Sequence, residues 1–143
     1  MGVVEQPDVD NLKRLFGPVF EASGCDFVIL GGSLASNKAA WWSDVDIFIH
    51  VPNHDELTSV KTERLMKMLP ELARISGLDN IDLHDLEELP VQVQFNIIRR
   101  YIILFEVDDG SARANFIERV LQEYWDVNPW YEAMLDERLK SLL

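Results

Sequence analysis

Apolar positions recur along this chain with two different periods. From Asp8 to Gly24, Leu12, Leu15, Phe16, Val19 and Phe20 fall at helical spacing, with Asp8 or Asp10 placed to cap the start and Gly24 to end the helix. "FVILGG" then reads as a strand running into a glycine turn, and "SLASNKAA" is short and helix-compatible. "SDVDIFIHV" alternates and then becomes almost continuously apolar, which predicts a second, central strand stopped by Pro52. Asn53 or Asp55 would cap a long helix through about Ile75, with Leu57, Val60, Leu65, Met68, Leu69 and Leu72 towards the core and Pro70 kinking or shortening it. After Gly77, "IDLHDL" reads as a third strand. "LPVQVQFNIIRR" alternates at first, but Pro90 after two glutamates favours the first turn of a helix. "YIILFEV" predicts a fourth strand closed by "DDGS". From Ala112 a helix should run to a break at "DVNPW", followed by a last helix to Leu143. The order α-β-β-α-β-α-β-α-α predicts one α/β (α+β) domain over residues 1–143, with a mixed, about four-stranded sheet flanked by helices. Its core would span about 10–108, with a helical C-terminal segment over about 110–143.

Composition narrows the function classes. With 25 acidic and 13 basic residues the net charge is −12, which disfavours direct binding to nucleic acid because that depends on neutralising phosphates. A basic protein partner or a bound cation suits it better. No apolar run reaches the ~18–20 residues that span a bilayer, and "MGVVEQPDVD" lacks the basic start and apolar stretch of a signal peptide. Gln6 breaks the myristoylation pattern after Gly2. A cytoplasmic protein without membrane attachment is expected. Cys25 is the one cysteine, so it has no internal disulfide partner, and its apolar flank predicts a buried structural thiol.

The stretch "GGSLASNKAAWWSDVD" carries the chemistry. Side chains alternate along a strand, so Asp44 and Asp46 point the same way. Two ionised carboxylates beside a buried strand are costly unless paired or metal-bound, and no Lys or Arg lies within five residues. A hard divalent cation, Mg2+ first, answers that need. Gly32 and Ser33 at the preceding strand end would let backbone amides approach an anion, and a helix starting near Ser33 would favour phosphate. One strand end thus offers phosphate donors and the next offers metal ligands, which together suit a nucleoside triphosphate with Mg2+.

Gly32-Ser33, ten residues, then Asp44-x-Asp46 resembles the signature of the DNA polymerase β-type nucleotidyltransferases. "IDLHDLEELP", "IIRRYIILFEVDD" and "FIERVLQEYWDVNPWYE" narrow the resemblance to the minimal nucleotidyltransferase (MNT) family along nearly the whole chain. That family supplies antitoxins of HEPN/MNT toxin–antitoxin pairs. The resemblance implies transfer of AMP from ATP to a tyrosine of the HEPN toxin, a ribonuclease, within a hetero-oligomer of antitoxin and toxin. It assigns Gly32 and Ser33 to the triphosphate, Asp44 and Asp46 to Mg2+, and Asp82 in "IDL" to the third catalytic and metal-binding carboxylate. Asp85 is the rival, but alternation puts it on the opposite face, where it would cap the next helix. Ser36 and Asn37 stand where many members carry Arg and Gly, and Lys38 is the nearest substitute for the missing charge. That departure sustains an alternative in which the antitoxin neutralises by binding alone. A nucleotidyltransferase for small molecules is a further alternative, although such enzymes usually add a helical substrate domain. Trp41 and Trp42 would stack on adenine or pack against protein, and His84 shares the face of Asp82. His50 and His54 read as strand-end and loop residues with no clear role. Arg99 and Arg100 before a strand would form a solvated helix end unless one reaches phosphate or acid, and the aromatic tail "YWDVNPWYEAML" would pack inward or meet a partner.

Overall fold

The computed structural model describes residues 8–31, 44–52 and 58–142, with side chains over 8–31, 44–52 and 60–126. Helix α1 spans Val9–Ser23. The Asp8 carboxylate accepts the Asp10 amide at 3.1 Å, and Gly24 closes the helix at φ 79°, a left-handed conformation that glycine adopts without strain. Leu12, Phe16 and Phe20 recur every fourth position and are fully buried, each contributing roughly 1.5–3 kcal/mol by leaving water. Pro18 is accommodated on the exposed side of the helix.

Four strands follow: β1 (Phe27–Leu30), β2 (Val45–His50), β3 (Ile81–Asp85) and β4 (Ile102–Glu106). They form one sheet in the order β3-β2-β1-β4. β1 pairs antiparallel with both β2 and β4, whereas β2 and β3 are parallel, so the sheet is mixed as expected. The parallel pair requires a crossover, and α2 (Thr58–Ser76) lies within it. Helix α3 (Val91–Ile98) precedes β4, and α4 (Ser111–Leu142) follows it.

Helices cover both faces of the sheet. On one side α1 and α2 pack Leu12, Phe16, Phe20, Met68 and Leu72 against Val28, Leu30, Val45, Ile47 and Ile49. On the other, Phe27, Ile29 and Phe48 meet Leu86, Ile97 of α3, and Phe116 and Val120 of α4. Cys25 is buried in the first core, its thiol 3.3 Å from the Phe20 carbonyl, and burial pushes its pKa up. That environment holds it as an unreactive thiol.

One boundary differs from expectation. No break occurs at "DVNPW": α4 runs unbroken through Pro129 to Leu142. Proline removes one amide donor but does not oblige the backbone to turn, and the helix-favouring residues after it carry the helix on. Likewise α2 passes Pro70 and ends at Ser76. Pro90 stands immediately before α3, and its carbonyl accepts the Gln94 amide at 2.9 Å. The expected helix over 33–40 and the caps Asn53 and Asp55 lie outside the described residues. Among the described residues, no helix is long and apolar enough to cross a membrane.

Candidate active site

The end of β1 and the start of β2 are tied together by their backbones. The Gly31 amide donates to the Asp46 carbonyl at 3.0 Å, and the Val45 amide donates to the Asn80 carbonyl at 2.8 Å. Gly31 therefore lies directly beside Asp46. In the parallel ladder Asp46 faces Asp82, and Phe48 faces His84. Period-two alternation then brings Asp46, Asp82 and His84 to one face of two adjacent strands. The His84 Nε2 lies 3.2 Å from the Asp82 carboxylate and 3.6 Å from that of Asp46. One donor atom from each of the three falls within 4.8 Å of the others.

Phe48 supports this group. Its ring stacks on the His84 imidazole with centroids 4.9 Å apart at 21°. A Cβ at position 31 would lie 2.5 Å from the Phe48 ring, so Gly31 is the residue that leaves the ring its place. Burial raises the pKa of Asp46, and the negative charges of Asp82 and Asp44 raise it further, against the hydrogen bond and charge of His84. A site that penalises carboxylate charge in this way favours a cation. Two carboxylates and an imidazole are a donor set that fits a divalent metal.

The expected site residues fall into three groups. Asp46 and Asp82 converge with His84, whose side chain the shared strand face had already indicated. Asp44 is exposed one residue before β2, outside the converging trio but near enough for its charge to act on Asp46. Gly32, Ser33 and Lys38, with Ser36, Asn37, Trp41 and Trp42, lie outside the described residues. Asp85 points to the opposite face of β3 and accepts the Glu87 amide at 3.0 Å, capping the turn over Leu86–Glu88. Its pKa is raised by burial, against that hydrogen bond and the charge of Lys61.

A second polar group escaped the sequence. His50, at the far end of β2 from Asp46, is buried between two carboxylates, Nδ1 2.7 Å from Asp26 and Nε2 2.6 Å from Glu87. Glu87 is also 2.7 Å from Arg119 of α4. Burial opposes charge on His50, but hydrogen bonds to Asp26 and Glu87 and their charges outweigh it and lift its pKa to about 9. Glu87 is likewise opposed by burial, yet hydrogen bonds from His50 and Arg119 and their charges hold it at about 2. The four residues line a cavity of about 280 Å³ and tie β1, β2, the turn and α4 together. Asp26 and Glu87 stand 24 and 37 positions from His50 in the chain, and no local pattern links them.

The remaining candidates are peripheral. Arg99 and Arg100 are exposed beyond α3, with Arg99 over the Phe95 ring. In the aromatic tail, Tyr124 stacks on Phe95, while Trp125 is 63% exposed. The side chains of Trp130 and Tyr131 lie outside the described residues, as does His54.

Comparison with known proteins agrees with the fold. The profile of the family described as polymerase beta, nucleotidyltransferase, matches residues 19–110. No curated protein matches the chain in sequence. Among solved structures, a toxin–antitoxin complex with AMP-PNP superposes at a TM-score of 0.68 with 15% identity, covering 93% of this chain and 99% of the other. An MNT antitoxin in complex with a tri-AMPylated HEPN toxin from Shewanella oneidensis gives 0.68 at 17% identity, covering 92% and 99%. The toxin–antitoxin MntA-HepT gives 0.61 at 14% identity, covering 92% and 96%. At these identities the likeness establishes the fold.

Proposed function

This chain belongs to the polymerase beta nucleotidyltransferase family, and from that premise we propose that it is the antitoxin of a HEPN/MNT pair, transferring AMP from ATP to a tyrosine hydroxyl of its HEPN toxin. The observation that carries the reading is the register of β2 and β3, which sets Asp46 against Asp82 beside the glycine that leads into Gly32-Ser33. The similar structures supply the direction: one contains AMP-PNP and another an AMPylated HEPN toxin.

In this reading Asp46 and Asp82, with Asp44 at the mouth of β2, would hold Mg2+. The ion, when bound, would neutralise charge on the triphosphate and acidify the acceptor hydroxyl. The backbone at Gly32 and Ser33 holds the phosphates, and Lys38 provides the positive charge that Ser36 and Asn37 do not. The tyrosine oxygen attacks the α-phosphorus, the bond to pyrophosphate breaks, and Asp82, the more exposed carboxylate, receives or relays the hydroxyl proton. The acidic chain is matched to a protein acceptor and works in the cytoplasm, bound to its toxin.

The test is intact-mass analysis of the partner toxin after incubation with this protein, ATP and Mg2+. The toxin should gain mass in steps of one AMP, and Asp46→Asn should abolish the gain. Neutralised toxicity without a mass change would instead support the binding-only reading that Ser36 and Asn37 suggest.

A further inference from the structure

The cation site contains one donor that the proposed mechanism has not used. We propose that His84 is a further ligand of the ion held by Asp46 and Asp82, donating through Nε2, and that it shifts the preference of the site from Mg2+ towards first-row transition ions. The inference rests on the reading of Asp46 and Asp82 as a cation site. Three observations carry it.

The first is spacing. Two ligands each about 2.1 Å from one ion lie about 3.0 Å apart at a right angle and about 3.4 Å apart at the tetrahedral angle. The His84 Nε2 stands 3.2 Å from Asp82 and 3.6 Å from Asp46, already close to ligand–ligand spacing from each carboxylate, in a trio whose donor atoms all lie within 4.8 Å of one another. The second is orientation. The stack on Phe48 sets the imidazole plane, and Phe48 can occupy that position because residue 31 has no Cβ. Its position opposite Phe48 in the parallel ladder, two residues beyond Asp82, keeps the ring on the carboxylate face. The third is chemistry. Mg2+ takes oxygen ligands, whereas imidazole nitrogen suits Zn2+, Fe2+, Ni2+ and their neighbours in the series. A site of two carboxylates alone would not make that distinction so strongly.

A direct ion pair between His84 and the two aspartates would give similar distances without any metal. The test therefore reads the metal–nitrogen bond. Mn2+ alone is added to nucleotide-free protein, and pulsed electron paramagnetic resonance detects nitrogen coupled to the bound ion. Co2+ and Mg2+ are then used to displace it. His84→Phe keeps a ring on Phe48 and removes the donor, and His84→Gln serves if the first variant does not fold. Wild-type protein should show nitrogen modulation. His84→Phe should retain Mn2+ without modulation, and its affinity for Co2+ should fall by at least about tenfold, the scale on which metal sites respond even to loss of an outer partner. Its Mg2+ affinity should fall much less. Binding of Mn2+ that is lost in Asp46→Asn yet shows no nitrogen modulation, or modulation that persists in His84→Phe, overturns the role of His84 and leaves the carboxylate site standing. Absence of any Mn2+ binding that depends on Asp46 overturns both readings.

Discussion

Glu87→Gln tests the buried ionic tie between the sheet and α4. The substitution preserves shape and removes the charge that both His50 and Arg119 face. The pKa of His50 rises from 6.5 to about 9, and each unit is worth about 1.4 kcal/mol, so its two carboxylate neighbours together contribute roughly 3 kcal/mol at neutral pH. The depression of Glu87 from 4.5 to about 2 reports the same coupling from the other side and is not added. Breaking a buried pair by removing one partner typically costs about 3–5 kcal/mol. A loss of about 2–4 kcal/mol is therefore expected, which lowers Tm by roughly 8–15 °C in a domain of this size. The pH dependence has a defined sign. The folded pKa of His50 is raised, so its contribution is complete below pH 6.5 and disappears as pH rises through about 9. The folded pKa of Glu87 is depressed, so its contribution is present above pH 4.5 and is lost as pH falls through about 2. Thermal unfolding followed by circular dichroism from pH 5 to 10 measures the His50 limb. The Tm difference between wild type and Glu87→Gln should be largest near pH 5–6.5 and shrink towards pH 9–10. Taking the difference removes titrations that both proteins share, including that of the buried Cys25 thiol. An equal Tm at pH 7, or a difference that does not change with pH, would refute a charged His50.

Three further outcomes follow from the same geometry. Asp46→Asn should abolish AMP transfer while the metal-free protein keeps or raises its Tm, because burial and like charge already oppose ionisation there; a marked fall in Tm would contradict this. Gly31→Ala drives a Cβ to 2.5 Å from Phe48 and should cost about 1–3 kcal/mol in urea unfolding, with a parallel loss of cation affinity as His84 is displaced; unchanged stability would mean that the ring moves aside freely. Phe16→Ala empties a fully buried position between α1 and the sheet and should cost about 3–5 kcal/mol, read from the urea midpoint at constant slope.

Much of the architecture can be read from residue spacing because each element buries one face. Leu12, Phe16 and Phe20 can cover the sheet only from a helix, and the alternating "SDVDIFIHV" only from a strand. The same alternation put Asp44 and Asp46 on one side of β2, and Asp82 on the opposite side of β3 from Asp85. These are local consequences of backbone geometry, which neighbouring residues determine by themselves. Register is not local. Only the parallel pairing of β2 with β3 sets Asp46 opposite Asp82, makes His84 their neighbour and leaves Asp44 outside the converging trio. Long-range packing likewise decided that His50, at the end of β2, is a buried cation, because its carboxylate partners arrive from the residue before β1 and from the turn after β3. The continuity of α4 through Pro129 belongs to the same class, since a proline removes one hydrogen bond but does not by itself dictate where the helix ends. The sequence by itself determined which faces carry charge and which carry hydrocarbon. Tertiary structure decided which charges meet, because the free energy of a charge depends on what lies within a few ångströms of it.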